Sequence, residues 1–496
     1  SMLNEKHFIN ATLGMELSES KDETVSATFT GFGLSSAHSP LYAAQQPNKT
    51  DVSKERTRNI GYLGAVNYSY NDIYLLDMSF RFDASSIFGS EKQWAPFWSV
   101  GVGVNFHNYS FLENNRFIST LKLRGSYGST GNVNFPPSMA ATTYALNTDM
   151  WFFTGPTASL LALGNPSLTW EKTKTVDLGL VLGMFDERLS LNFSYYNKRT
   201  EGLIDNISIR HSSGFKSYAV NSGKIENKGI ELNLNAILFR NESWMLTVNA
   251  NLASNKNTII KLGESAKTYN DKILAEWENV KNDNTYKDVL SSPVILYYEG
   301  ASKSAIYAVR SAGIDPANGK ERFIKKNGMS TYVWNANDQV VVGDKMPDAQ
   351  GTLGLSVAYK GIYLTTSFMY QWGAQTYNET LLQKVENADI QNSNVDRRVL
   401  TQRWRKPGDL VTFYDLKNNT YTQVTSRFVQ DYNYLNFTSL SVGYDFKNEL
   451  ISKWHLRNLG IRLNVNDICR WSTVKQERGI SYPYTRSFSF TVNIGI

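Results

Sequence analysis

Large apolar residues recur at every second position along most of this chain. From Tyr74 they fall on Tyr74, Leu76, Met78, Phe80 and Phe82, with Asp77, Ser79, Arg81 and Asp83 between them. Ile9 to Leu17 alternates in the same way, and so do Ile60–Tyr70, Trp98–Phe106, Val176–Met184 and Leu189–Asn197. Ile230–Leu238, Trp244–Leu252, Leu353–Tyr359, Ile362–Trp372, Leu440–Phe446, Ile461–Val465 and Phe488–Ile496 follow suit. A period of two marks a strand with one apolar face. The best helical patterns are short, Thr380–Asp389 and Asn448–His455, and both fall in connections.

An apolar face can lie against a second sheet or against lipid, and three features favour lipid. The strands run about 9–12 residues, near the transmembrane length and above the soluble mode of about 5–6. Aromatic residues gather at strand ends, as interfacial girdles require: Tyr68, Tyr70 and Tyr74 about one turn, Trp98 and Phe106 about one strand, Tyr359, Tyr370 and Trp372 closing others. Connections alternate between tight (Asn71-Asp72, Phe185 to Arg188, Arg240 to Ser243, Lys360-Gly361) and long (31–59, 131–173, 199–227, 373–433). Outer-membrane barrels pair short periplasmic turns with long outer loops in this way. The expected fold is therefore an all-β, antiparallel transmembrane barrel in the outer membrane of a Gram-negative bacterium.

Strand directions taken from the short turns agree only if an even number of crossings lies between Trp244–Leu252 and Leu353–Tyr359. Val294–Arg310 and Glu321–Trp334 are the expected pair, which gives about 15–17 strands in the chain. Counted as seventeen, they begin and end inward. An open sheet edge in lipid is costly, so this count predicts that upstream strands complete the barrel.

Composition narrows the chemistry. The chain has 496 residues and carries 28 Tyr, 25 Phe and 11 Trp. No apolar run approaches the ~20 residues of a membrane-spanning helix. The formal charge of +6 is spread thinly and gives no nucleic-acid surface. Cys469 is alone, which rules out an internal disulfide, and the five histidines (His7, His38, His107, His211, His455) have no metal spacing. The glycine-rich "GVGVNF" and "GSYGSTGN" lack the strand–loop–helix setting of a phosphate site. "GIDPANGK" reads as a tight turn in preference to a calcium loop. No catalytic constellation emerges; no cofactor and no enzymatic chemistry are expected.

Candidate binding residues sit in the long connections. "DMWFFTG" brings Trp151, Phe152 and Phe153 together, for packing on other loops, on a partner or on a sugar face. Trp334, Tyr377, Trp404 and Tyr414 are candidates of the same kind. "DRRVLTQRWRKPGD" concentrates Arg397, Arg398, Arg403, Arg405 and Lys406, which reads first as a solvated outer surface and second as a partner or substrate contact.

Several phrases occur in order: "FRFDASSIFGSEKQWAPFWSVGVGVNF", "LKLRGSYGSTGN", "GNPSLTWEKTKTVDLGL", "NSGKIENKGIELNL", "AGIDPANGK", "QRWRKPGD", "YLNFTSLSVGYDF" and "YPYTRSFSFTVNIGI". Together they resemble the carboxy-terminal part of SusC/RagA-type TonB-dependent outer-membrane transporters, over essentially the whole chain. The resemblance implies a 22-stranded barrel with a plug and a TonB-contacting segment encoded upstream. It also implies a SusD-like surface lipoprotein lid and an oligosaccharide or peptide substrate. On these phrases Arg81, Asp83, Ser85 and Ser86 mark a strand entering an outer loop. Gly125, Gly128 and Gly131 permit tight bends or close approach of a plug, and Asn221, Gly223, Asn227 and Gly229 shape the entry to the next inward strand. The last residue, Ile496, stands where the family commonly has Phe. The competing readings are a passive porin or adhesin barrel, and a soluble β-rich carbohydrate-active enzyme.

Overall fold

The computed structural model describes the chain except residues 1, 4–5, 34–38, 47–50, 90–91, 113–114, 133–138, 154, 209–216, 281–292, 393, 416–420, 447, 476–485 and 496. His38, His211 and Ile496 lie outside the described residues. Fourteen long strands form one antiparallel wall in chain order: β1 (His7–Ser26), β2 (Asp51–Tyr70), β3 (Tyr74–Ser85), β4 (Trp94–Asn105), β5 (Ile118–Asn132), β6 (Glu171–Met184) and β7 (Leu189–Glu201). β8 (Lys224–Arg240), β9 (Trp244–Lys261), β10 (Ala349–Tyr359), β11 (Ile362–Trp372), β12 (Tyr434–Asp445), β13 (Asn458–Ser472) and β14 (Ser487–Gly495) complete it. A two-residue strand, Met2–Leu3, pairs with β1 as a fifteenth member.

The register carries the alternation across strands. Ile9, Tyr68, Leu76, Val102, Gly125, Leu178, Tyr195 and Ile230 form one transverse row. One residue along, Asn10, Asn67, Asp77, Gly101, Ser126, Asp177 and Tyr196 form the row on the other face. The apolar face is bare: Phe80 is 52% and Val102 57% exposed. It is not packed on a second protein layer, as a soluble sandwich would require.

The opposite face is interior. Trp170, at the end of a long connection, folds onto it and packs on Phe97 (ring centroids 5.3 Å), which stands opposite Arg81 in the register. Polar side chains bond across this face. Asn67 Nδ2 donates to Asp77 Oδ1 (2.6 Å), and Arg81 reaches Glu16 (2.8 Å) and Asp83 (2.7 Å). A one-residue slip of β3 would carry Arg81 into hydrocarbon at about 2–4 kcal/mol, which fixes the register.

Rings on the apolar face form two belts. Tyr70 stacks near Tyr74 (6.4 Å) and Trp244 meets Tyr359 (4.2 Å) on the short-turn side. Tyr62 stacks on Trp94 (6.0 Å) and Trp98 meets Tyr127 (5.4 Å) toward the long connections. The 11 residues of β11 run from one belt to the other. At ~3.3 Å per residue and ~45° of tilt they rise about 26 Å, the height of a bilayer's apolar band.

The tight turns fall where alternation predicts. Asn71 and Asp72 adopt φ 54° and 53°, and Lys360-Gly361 φ 46° and 92°. Such left-handed pairs match the twist of the strands they join. The two extra crossings expected between residues 294 and 334 are corrected by the pairing: β9 joins β10 directly, from Trp244↔Tyr359 to Ala253↔Gln350. Zero crossings satisfy the parity as well as two. Residues 305–314, 321–324, 330–331 and 339–344 make a separate four-stranded sheet outside the wall. The connection between β9 and β10 also holds a 17-residue helix, α1 (Glu264–Val280), which the periodicity did not reveal. Its packed side includes Asn270, whose carboxamide bonds the Tyr297 backbone at 2.5 and 3.1 Å, and this polar residue interrupts the apolar stripe.

The candidate outer-mouth site

The largest buried core lies in the long connections. Those joining β9–β10 (262–348) and β11–β12 (373–433) fold together as one cap. Its core takes Trp277, Ala308, Val309, Phe323 and Trp334 from the first and Tyr377, Leu382, Val385, Phe413 and Phe428 from the second. A small pair of strands, 375–377 with 429–431, packs beside 339–344. A second core of Phe88, Ala140, Leu168 and Ala219 ties together the connections after β3, β5 and β7.

Within the cap, Arg427 lies between two carboxylates. Its Nη2 is 3.0 Å from Glu321 Oε2 and 2.7 Å from Glu386 Oε1, with side chains 6%, 0% and 0% exposed. Glu321 also accepts from Thr425 (2.6 Å) and Tyr414 (3.0 Å), and Glu386 from Thr422 (3.2 Å). Burial alone would pull the Arg427 guanidinium down; Glu386 and Glu321 more than reverse it and hold it above its ordinary value. Burial, then Glu321, pushes the Tyr414 hydroxyl well up. Burial lowers Arg403, partly offset by Glu386 and Asp415. Arg403 instead serves the backbone, donating to the carbonyls of Val385, Glu386 and Tyr414.

The candidate residues separate into two groups. Trp334 is buried, donates Nε1 to the Val424 carbonyl (2.9 Å) and packs near Trp277. Tyr377 is buried against Phe428, and Tyr414 serves Glu321. Trp404 donates to the Pro316 carbonyl (2.9 Å) and lies over Gly319, where a Cβ would come within 2.6 Å of the indole. Gly319 also has φ +71°, so both space and backbone demand glycine. Thus "RWRKPGD" seats on "GIDPANGK". The latter is a tight turn in which Asp315 accepts from Ala317 (2.9 Å) and Tyr332 (2.6 Å). Tyr332 and the Ala317 amide hold the Asp315 carboxyl below its usual range. Arg405 is exposed and its guanidinium donates to the Leu400 carbonyl. Trp151, Phe152 and Phe153 form the other group. They occupy the tip of a hairpin, 143–152 with 155–162, and are 70%, 67% and 96% exposed.

Several spaces open among the long connections, and two of them bear on the candidate residues. One of about 370 Å³ surrounds the Glu16–Arg81–Asp83 cluster, with Ser85 and Trp170 at its edge. A larger one, about 1080 Å³, lies between the upper end of β9 and the cap sheet. Tyr298, Tyr307, Gln339 and Asp344 line it, and sequence reasoning missed all four: Tyr298 and Tyr307 fall in a segment that reads as a crossing, and Gln339 and Asp344 lie just beyond the second such segment, in a stretch with no readable pattern. No group of three metal-ligating side chains occurs among the described residues. The site offers hydrogen bonds and ring faces, which is the equipment for holding a polar solute non-covalently.

A greasy outside, a polar inside, two aromatic belts and loops massed at one end define a transmembrane β-barrel wall of the outer-membrane kind. The sequence pattern of the TonB dependent receptor-like, beta-barrel family matches residues 7–468, and the chain belongs to that family, whose barrels stand in the Gram-negative outer membrane. The TonB-dependent receptor P3 of Formosa agariphila is 29% identical over 427 residues, covering 83% of this chain and 40% of the relative. The TonB-dependent receptor SusC of Bacteroides thetaiotaomicron is 24% identical over 428 residues, covering 82% and 40%. Among solved structures, the RagAB peptide transporter superposes with a TM-score of 0.78 at 22% identity, covering 95% of this chain and 51% of that one. The chain thus spans about half or less of the proteins it matches.

Proposed function

We propose that the protein containing this chain imports a large polar nutrient, an oligosaccharide or a peptide, across the outer membrane. Its energy is delivered through TonB from the inner-membrane proton gradient, and a SusD-like surface lipoprotein closes over the mouth. Family membership carries this reading, and the fold supplies its parts. The wall has a hydrogen-bonding interior, and the cap and hairpin stand where a solute would be captured before it crosses. Import by such a device is binding and release, so no covalent step is needed. Trp151, Phe152 and Phe153 suit the lid because three adjacent exposed rings are costly in water and favourable against a partner. Exposed Arg405, with half-buried Trp404 beside it, is the cap's candidate for contact with the same partner or with substrate.

The test is uptake by cells carrying the full-length gene, with and without TonB, and affinity purification from native membranes. The expected results are TonB-dependent uptake and co-elution of a surface lipoprotein. Large ohmic conductance in a planar bilayer and TonB-independent uptake would instead establish a passive pore.

A further inference from the structure

β1 and β2 continue past the upper aromatic belt as a two-stranded ribbon, paired from Leu17↔Ile60 to Ser26↔Asp51 without a bulge. β3 stops below it, at Ser85 opposite Asn59. The period of two therefore still assigns each side chain to a face. The outward face is apolar through Met15↔Tyr62 and Leu17↔Ile60. It turns to charge at the next rows: Glu19↔Arg58, then Lys21↔Arg56, then Glu23↔Lys54. Ion pairs confirm that these six share a face. Glu19 takes Arg58 (3.1 Å), Arg56 (2.9 Å) and Lys21 (3.1 Å), and Glu23 takes Lys54 (3.1 Å). The inward face has the opposite sign. There Asp22 stands directly opposite Glu55, with Ser20, Thr24, Ser53 and Thr57 in the rows on either side.

Height and charge point to one kind of ligand. The first charged row stands two residues above the last apolar one. At ~3.3 Å per residue and ~45° of tilt that is a rise of about 5 Å, and the second row stands about 9 Å up. Head groups add about 5–8 Å to each side of the hydrocarbon, and long Arg and Lys side chains reach back toward that layer. The four cations share two carboxylates, so the outward face keeps a positive surplus. Lys21 and Arg56 are like charges directly opposed, an arrangement that destabilises a strand pair. The carboxylate between them, Glu19, is also shared with Arg58. All four cations are exposed. A ribbon standing in water alone has no cause to put every cation on one face. Guanidinium groups take phosphate oxygens in paired, charge-assisted bonds.

We propose that the outward face of this ribbon binds the phosphorylated head group of an outer-leaflet glycolipid, with Lys21, Lys54, Arg56 and Arg58 facing its phosphates. The lipid completes the charge balance that Glu19 and Glu23 leave open. The inference rests on the chain's place in the outer membrane and not on what is imported.

The test is native mass spectrometry of the full-length protein, purified in detergent, stripped of lipid and titrated with diphosphoryl lipid A. A neutral glycolipid of matched acyl chains serves as comparison. Wild type binds lipid A about tenfold or more tightly than the neutral lipid. Arg56→Gln with Arg58→Gln weakens it by about tenfold or more, with the melting temperature unchanged. Glu19→Gln removes the competing carboxylate and tightens binding, an effect that a merely structural ion pair would not give. Wild-type affinity in the double variant, equal binding of the neutral lipid, or no tightening in Glu19→Gln would each overturn the proposal. An equal gain in Asp22→Asn, on the inward face, or displacement of the lipid by millimolar inorganic phosphate would do the same. So would loss of a co-purifying surface lipoprotein from the double variant with lipid binding intact, which would give the patch to a protein partner.

Discussion

Replacing Arg427 by Met tests whether the cap is held by its buried charges. The substitution keeps most of the volume and removes the counter-ion shared by Glu321 and Glu386. Both carboxylates stay fully buried. Glu321 retains Thr425 and Tyr414 as donors, and Glu386 retains Thr422. Breaking a buried pair by removing one partner costs about 3–5 kcal/mol, because a charge is left in a poorly polarisable interior. At 1.4 kcal/mol per factor of ten, the cap should open about 10²- to 10⁴-fold more often. Hydrogen exchange on full-length protein in detergent reads this directly. Amides of 305–314 and 429–431 should speed up by that factor, while β10 and β11, anchored in the wall, keep their rates. Adding Glu321→Gln and Glu386→Gln should restore most of the protection, since no buried charge then lacks a partner. If the single variant changes exchange in 305–314 by less than threefold, or the triple variant is no better protected, the electrostatic account of the cap is wrong.

Other expectations are shorter. Met78→Arg, midway between the belts on the apolar face, should destabilise the barrel by about 2–4 kcal/mol in urea unfolding from lipid vesicles, whereas Ser79→Arg on the inner face should be tolerated. Gly319→Ala should loosen the 313–320 turn by about 1–3 kcal/mol, because it forces a left-handed non-glycine and meets Trp404; limited proteolysis should then cut there first. The Asp315 carboxyl is depressed by Tyr332 and the Ala317 amide. Its contribution is therefore complete above the ordinary carboxylate range and fades as pH falls through the lowered value, which exchange at 315–320 should follow; stability growing toward acid would contradict the sign. Trp151→Ser with Phe153→Ser should leave barrel melting unchanged and reduce co-purification of the lipoprotein; undiminished recovery would remove the hairpin tip from the partner surface.

The wall was readable because each strand is wet on one face and greasy on the other, so period two survives in the sequence. Tyr74 to Phe82 shows this, and its turn at Asn71-Asp72 was legible from residue type alone. The cap was not readable, for the opposite reason. Residues 305–309 are buried on both faces, so Ala305 to Val309 reads as an apolar run that a membrane crossing would also give. Its other strands span two to six residues, too few to show a period. Aromatic type was ambiguous too. Trp98 serves a belt, Trp334 a core and Trp151 an exposed tip, and only three-dimensional context separates them. The basic "DRRVLTQRWRKPGD" looked like a solvated surface, yet Arg403 is a buried bracket for three backbone carbonyls.

The cap enters and leaves the wall through four neighbouring strand ends, those of β9, β10, β11 and β12. Everything between residues 262 and 433 apart from the β10–β11 hairpin therefore belongs to one unit, which also touches the connection after β7, where Ser265 donates to Asp205. Such a unit can be exchanged between related genes as a cassette, with two crossover points and repair needed chiefly at the Asp205 contact. The surface that the cap presents could then diversify far faster than the wall that carries it.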